Sequence, residues 1–136
     1  MNPLGYRNLT ELISRGYIDG QRNGQVIIER EWVAEAAEGL IMLSAAKEGE
    51  IGVALISGNT EEAEALAREW MAVFPDRFYI EVQRTKRPND EEHLHAAVAL
   101  ADKIGAPLVA TNDVRFIKQQ DFEAHEIFSS RRRHTR

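Results

Sequence analysis

The chain of 136 residues contains no cysteine. Disulfide bridges and thiolate metal sites are therefore excluded, and an intracellular protein is the expectation. The chain has no run of about 18 apolar residues and no signal-peptide pattern after its first methionine, so no membrane partner is predicted. A phosphate-binding P-loop, a dinucleotide glycine fingerprint and zinc-ligand spacing are also missing from the sequence. These absences exclude several common cofactor classes.

Acidic residues outnumber basic ones outside the last ten residues. The net charge is −5, and the four arginines at 131, 132, 133 and 136 contribute +4, so the rest of the chain carries −9. An acidic body argues against a general nucleic-acid clamp. Apolar residues make up 43% of the chain, which is typical of a globular domain or a piece of one.

Three short apolar runs, at 40–43, 78–82 and 107–110, are typical of strands. The first and last are continuous, which favours strands buried on both faces, as in a parallel sheet. Helical patterns lie before and between them, so the sequence predicts an α/β fold of βα units in a parallel sheet or barrel.

Helical periodicity and helix start and stop signals place the helices. They are expected at about 8–16, 29–37, 51–56, 63–73 and 89–104, with one or two further turns at 121–128. Asn8 or Thr10 is expected to cap the first helix, and Asn59 the fourth. Loops are expected at 19–24, 44–49 and 84–88. One face of the fifth helix carries Leu94, Ala97, Val98, Ala101 and Ile104.

Polar residues follow the last apolar run directly, in the sequence Thr111-Asn-Asp113. Because α/β folds place their chemistry at the carboxyl ends of parallel strands, Asp113 is the first candidate functional residue. Arg115, two positions further on, is expected on the same side of the chain.

Six fragments occur in order and together carry a family resemblance. They are Gly5-Tyr-Arg-Asn-Leu9, Gly39-Leu-Ile-Met-Leu-Ser44, Phe74-Pro-Asp-Arg-Phe-Tyr-Ile-Glu-Val82, Leu94-His-Ala-Ala-Val98, Ala110-Thr-Asn-Asp-Val-Arg-Phe116 and Ala124-His-Glu126. The chain resembles the polymerase and histidinol phosphatase (PHP) domain of bacterial replicative DNA polymerase III alpha subunits, the C family. The resemblance implies part of a seven-stranded, TIM-like (β/α) barrel over residues 1–127, incomplete at both ends. Residues 128–136 are expected to be a foreign or disordered basic tail, with a natural nucleic-acid-binding tail as the rival interpretation.

The resemblance also implies a function. The parent chain would be a DNA-directed DNA polymerase of the bacterial cytoplasm, using Mg²⁺ and binding DNA through domains outside this piece. The PHP piece would need no cofactor and would be a catalytically silent scaffold that supports the polymerase and docks the proofreading 3′–5′ exonuclease subunit of the holoenzyme. The alternative is a metal-dependent PHP phosphoesterase or 3′–5′ exonuclease.

The ligand set distinguishes these hypotheses. Metal-binding members of the family carry Asp-x-His after the strand that corresponds to the apolar run at 107–110, and a cysteine just after a Leu-Ser step. The matching positions in this chain are Asp113, Arg115 and Ala46. Arginine stays protonated and alanine has no donor atom, so the resemblance implies a degenerate metal site. Asp113 is expected to pair with Arg115 or another cation.

Glu81, at the end of the second predicted strand, has two open interpretations. It is either a remnant of the ligand shell or the partner of Arg84 or Arg87 in the basic loop that follows.

The histidines and tryptophans have mostly structural interpretations. His93 and His95 are two apart on a predicted helix, so they point in different directions and are expected to serve surface or packing roles. His125 is expected to make a structural hydrogen bond. Trp32 and Trp70 are expected in or near the core.

Overall fold

The computed structural model of the protein describes residues 2–115, 117–118 and 121. The predicted turns at 121–128 fall outside this part except at residue 121, and His125 and the tail at 128–136 lie outside it entirely. None of the described helices has the length and apolar composition needed to cross a bilayer.

The first helix, α1 (Pro3–Asp19), begins earlier than predicted. Its cap is Asn2, whose side-chain oxygen accepts a hydrogen bond of 2.8 Å from the Gly5 amide. Proline is favoured in the first helical turn because its missing N–H would have no intrahelical partner there. The predicted caps were therefore wrong, and the Thr10 hydroxyl instead donates to the Tyr6 carbonyl within the helix.

A short hairpin replaces the loop predicted at 19–24. Strands β1 (Gln21–Arg22) and β2 (Gln25–Val26) pair antiparallel. The two residues between them, Asn23 and Gly24, have φ of 53° and 77°. Positive φ at both central residues is typical of a two-residue turn, and Asn-Gly is the preferred pair for it.

Four further helices agree with the predicted ones. They are α2 (Arg30–Glu35), α3 (Glu50–Ile56), α4 (Thr60–Val73) and α5 (Asp90–Ile104). Asn59 stands at the start of α4, but its side chain makes no capping hydrogen bond. On α5, Val98 is 43% exposed rather than part of the buried face, which instead includes Leu100. Part of the loop predicted at 44–49 is a 3₁₀ turn, Ala46–Glu48.

The main sheet has three parallel strands in the order β3 (Met42–Leu43), β4 (Phe78–Gln83) and β5 (Leu108–Thr111). Met42 is in register with Phe78, and Ile80 with Leu108. The predicted parallel α/β arrangement is therefore confirmed. The described residues contribute three strands to this sheet, and a seven-stranded barrel is not seen in them.

Burial differs between the central strand and its neighbours. In β4, Phe78, Ile80 and Val82 are at most 8% exposed. In contrast, Leu43 is 38% exposed and Leu108 43%. The prediction that the outer two strands are buried on both faces was therefore wrong for the described residues, because no described element covers these side chains fully.

The core lies between the sheet and α3, α4 and α5, and it contains Trp70 and Phe74. The prediction for Trp70 is thus confirmed, and its indole N–H donates to the Glu50 carboxylate. Trp32 is half-buried. The guanidinium carbon of Arg15 lies over the Trp32 ring, 4.2 Å from the ring centre.

Candidate functional site

The carboxyl ends of the three parallel strands bring a set of polar side chains together. Glu81 is 9% exposed, and its backbone N–H donates to the Ser44 hydroxyl at 2.9 Å. The Thr111 hydroxyl donates to the Glu81 carboxylate. The Gln83 amide donates to Thr111 Oγ1 at 3.0 Å and to Glu81 Oε1 at 3.3 Å. Neutral donors from β4 and β5 thus satisfy the buried carboxylate, as buried polar groups require.

The structure bears on one of the two open interpretations of Glu81. The alternative in which Glu81 pairs with Arg84 or Arg87 is not seen among the described residues. Arg84 binds Glu91 instead, at 2.6 Å, and Arg87 binds Asp113 at 2.7 Å. Both arginines follow the end of β4, and each finds a carboxylate closer to solvent than Glu81.

Asp113 is held by two guanidinium groups. Arg115 Nε lies 2.5 Å from its Oδ1, and Arg87 Nη1 lies 2.7 Å from its Oδ2. The expected pairing of Asp113 with Arg115 is therefore confirmed. The Arg115 guanidinium, and then that of Arg87, hold the pKa of the Asp113 carboxyl below its usual range.

Asp90, which the sequence did not single out, is the most heavily hydrogen-bonded carboxylate of the site. It is 3% exposed and accepts from Lys47 Nζ at 2.6 Å, from the Thr85 amide and hydroxyl at 2.7 and 2.8 Å, and from the Arg87 amide at 3.1 Å. The bonds from Lys47, and then those from Thr85, keep the pKa of Asp90 well below its usual range. Asp90 thereby fixes the basic loop against α5. Its position at the start of a predicted helix, directly after a basic loop, was the sequence signal that could have found it.

The loop after β3 aims Lys47 at this carboxylate. Ala45 and Ala46 both lie in the left-handed region, with φ of 60° and 46°. This conformation costs a non-glycine residue roughly 1–2 kcal/mol. Lys47 Nζ also donates to the Pro88 carbonyl at 2.9 Å. The strained turn and the buried ion pair therefore join the end of β3 to the start of α5.

The two histidines of α5 face in different directions, as predicted. His93 is 2% exposed, whereas His95 is exposed. Burial lowers the pKa of His93, against the opposing influence of the nearby Asp90 carboxylate. His93 is thus a neutral packing residue behind the site near neutral pH.

The donors that the described residues bring to this edge do not fit a divalent metal. In the described part of the chain, no three histidine, aspartate or glutamate side chains are grouped so that they could hold an ion. Both oxygens of Asp113 bind guanidinium groups, and Ala46, 3% exposed, offers no donor. Glu81 and Asp113 share no hydrogen-bond partner among the described residues. Chemically, the arrangement pairs Asp90 and Asp113 with cations and binds Glu81 through neutral donors.

Comparison with known proteins identifies the class of domain. The chain belongs to the PHP domain family, whose model matches residues 1–85.

Three proteins similar to this chain are all DNA polymerase III alpha subunits. Over 126 residues the chain is 86% identical to DNA polymerase III subunit alpha of Pseudomonas fluorescens and 78% identical to that of Pseudomonas aeruginosa strain PAO1. It is 48% identical over the same length to the DNA polymerase III subunit alpha of Escherichia coli strain K12. Each alignment covers 93% of this chain and 11% of the relative. The chain therefore spans only a small part of the length of the curated relatives it matches.

Proposed function

We propose that this chain is a segment of a bacterial DNA polymerase III alpha subunit and acts in DNA replication as a structural scaffold. The observation that carries the proposal is the 86% identity over 126 residues to a protein of that name. In this proposal, DNA-directed DNA synthesis and the Mg²⁺ that it uses belong to parts of the subunit outside these residues. The working compartment is the cytoplasm.

The scaffold role is supported by the electrostatics of the carboxyl edge. Arg115 places a fixed positive charge against Asp113, the candidate metal carboxylate. A unit charge about 4 Å from a cation opposes its binding by roughly 4 kcal/mol per metal charge at an effective dielectric near 20, and solvent reduces this. In this proposal the guanidinium neutralises Asp113 in place of an ion and keeps the edge of the sheet folded without one.

The partner in this proposal is the proofreading 3′–5′ exonuclease subunit of the polymerase III holoenzyme. The acidic body of the chain disfavours tight DNA binding by this segment, since phosphate contacts depend on clustered Lys and Arg. Three arginines of the described carboxyl edge, at 84, 87 and 115, are each paired with a carboxylate. A protein partner suits a surface whose arginines are already engaged by carboxylates better than a phosphate backbone does.

Metal content tests the silent site. The full-length subunit purified without chelator is expected to show the same content of Mn and Zn, by mass spectrometry, as its Asp113→Asn variant. Neither protein is expected to hydrolyse phosphate esters with added Mn²⁺ or Zn²⁺. Asp102→Asn, an exposed position on α5, is the matched control. Stoichiometric metal and hydrolysis that are both lost only in Asp113→Asn would contradict the scaffold role and support a metal-dependent phosphoesterase or exonuclease.

Stability tests the structural role of the arginine. Arg115→Ala is expected to destabilise the domain by about 1 kcal/mol or less, because the Arg115 side chain is 58% exposed and Arg87 remains on Asp113. Arg115→His is not expected to create metal-dependent hydrolysis, since Ala46 still supplies no donor. Chemical unfolding measures the first effect, and phosphoesterase assays the second. An Arg115→Ala variant more stable than the parent would argue against this role for the guanidinium.

Deletion tests the docking role. Removal of the segment equivalent to residues 1–127 from the full-length subunit is expected to abolish co-purification of the exonuclease subunit. Charge reversal at Glu61, on the exposed side of α4, is the control for a general surface effect. Retention of the exonuclease by a folded, deleted subunit would place the docking surface elsewhere.

A further inference from the structure

An apolar stripe runs along the outside of α1. It consists of Tyr6, Leu9, Ile13 and Tyr17, which are 68%, 37%, 45% and 61% exposed. At about 100° per residue these four side chains fall within an arc of about 80°. The stripe is therefore one continuous surface and not four scattered residues.

The stripe adjoins the face by which α1 packs on the rest of the protein. The buried residues of α1 are Gly5, Leu12 and Gly16, which lie within a neighbouring arc of about 40°. Together the two arcs span roughly 140°, and core-facing helices typically present an apolar stripe at least about 100° wide. The sequence of α1 is thus patterned for burial on a wider face than the described residues cover.

The apolar surface continues onto the hairpin and the segment after it. Val26 and Ile28 are 39% and 38% exposed, and both lie against Gly16 of α1. A Cβ at Gly16 would lie 3.1 Å from a side-chain carbon of each. Contiguous apolar patches of this kind mark interaction surfaces more often than scattered exposed residues do.

The polar side of α1 is already satisfied within the chain. Arg7 and Glu11 form an ion pair of 3.0 Å along the helix, and the Ser14 hydroxyl donates to the Thr10 carbonyl. All four residues lie outside the stripe; Thr10 and Ser14 are the nearest to its edge, and Glu11 lies on the far side of the helix. The edge of the stripe that faces away from the buried residues is therefore polar and uncharged.

We infer that the stripe of α1 is covered by an apolar segment of the longer polypeptide to which this chain corresponds. This inference rests on the proposed function. It is supported by length, since this chain accounts for 11% of the relatives to which it is 78–86% identical, so most of the polypeptide lies outside these 136 residues. A covering segment from the same polypeptide binds without the translational cost that a separate partner pays. The occupant is expected to present aliphatic or aromatic side chains and little charge.

Cysteine accessibility in the full-length subunit tests the inference. Ile13→Cys and Tyr17→Cys are introduced singly, with Glu11→Cys on the polar side of the same helix as the matched control. Labelling by a maleimide is followed on the peptide that contains each position. In the full-length subunit, labelling at positions 13 and 17 is expected to be at least about tenfold slower than at position 11. In the same full-length variants unfolded in urea, where no segment covers the helix, the three positions are expected to label at similar rates.

Cross-linking from position 13 identifies the occupant. A photoreactive maleimide at Ile13→Cys is expected to yield peptides of the same subunit from outside these 136 residues. Equal labelling of positions 11 and 13 in the full-length subunit would overturn the inference. So would cross-links to a second copy, to another subunit or to residues 116–136. The proposed function has its own test: it fails if the full-length protein that contains this chain has no DNA polymerase activity.

Discussion

At the scale of single residues, the charge state of His93 links stability to pH in mildly acidic solution. It is almost fully buried on α5, and the titratable groups around it are Asp90, Lys47 and Glu81. Burial opposes the charged imidazole more strongly than the Asp90 carboxylate supports it, so the folded pKa lies below the ordinary 6.5. The unfolded chain therefore binds more protons than the folded one in mildly acidic solution, and stability falls as pH falls.

The contribution of neutral His93 to stability is accordingly expected to be fully present above about pH 6.5 and to be lost as pH drops from there toward the lower folded pKa. His93→Gln, which does not titrate, is expected to flatten this dependence between pH 7 and 5. Hydrogen exchange of α5 peptides in the full-length subunit, corrected for intrinsic exchange rates, measures this pH dependence of stability. Asp90 contributes in the same direction only at lower pH, because its ordinary pKa is 3.8. An unchanged slope in the His93→Gln variant would show that another group titrates.

At the scale of elements, the contact between α4 and its neighbours depends on small side chains. Ala63 and Ala67 on α4 and Ala97 on α5 are 0% exposed. Alanines at these positions let the helices approach closely, and a close-packed interior has no room for added methylenes. The spacing of Ala63 and Ala67 places both on the same side of α4.

Ala67→Leu is therefore expected to destabilise the domain by about 1–3 kcal/mol through overpacking. Ala65→Leu adds the same atoms on the exposed side of the same helix, and its effect is expected to stay within about 0.5 kcal/mol. Urea unfolding of the full-length subunit, monitored by protease cleavage within α4, compares the two variants. Equal effects would mean that the space around Ala67 can accept a larger side chain.

At the scale of the whole molecule, apolar surface is left open at several places. In addition to the stripe on α1, Ile41 and Leu43 near β3 and Leu108 on β5 are 38–47% exposed. In the described part of the sheet, β3 and β5 each have one strand neighbour, and open strand edges are sites of association.

The 136-residue chain expressed alone is therefore expected to aggregate or to behave as a molten species. Light scattering and the dispersion of amide resonances measure this directly. The double variant Ile13→Lys with Tyr17→Lys is expected to reduce association of the isolated chain, because it charges the stripe. A sharp, cooperative melt of a soluble monomer without any substitution would contradict the expectation.

The sequence by itself determined the features that depend on neighbours along the chain. Helices α3, α4 and α5 follow from periodicity and from glycine and proline stops, and the parallel order of the strands follows from their alternation with helices. The pairing of Asp113 with Arg115 was also predictable, because two residues that lie two apart in an extended segment share a side.

Only the tertiary structure decided which distant groups meet. Lys47 and Asp90 are 43 positions apart, and nothing in either local pattern indicates their 2.6 Å ion pair. Arg87, and not Arg84, reaches Asp113 because the loop after β4 and the segment after β5 come together at one sheet edge. Periodicity tells which face of a helix or strand is apolar, but not what covers that face. For this reason the burial of β3 and β5 was wrongly predicted, and the open stripe on α1 became visible only once the chain was folded.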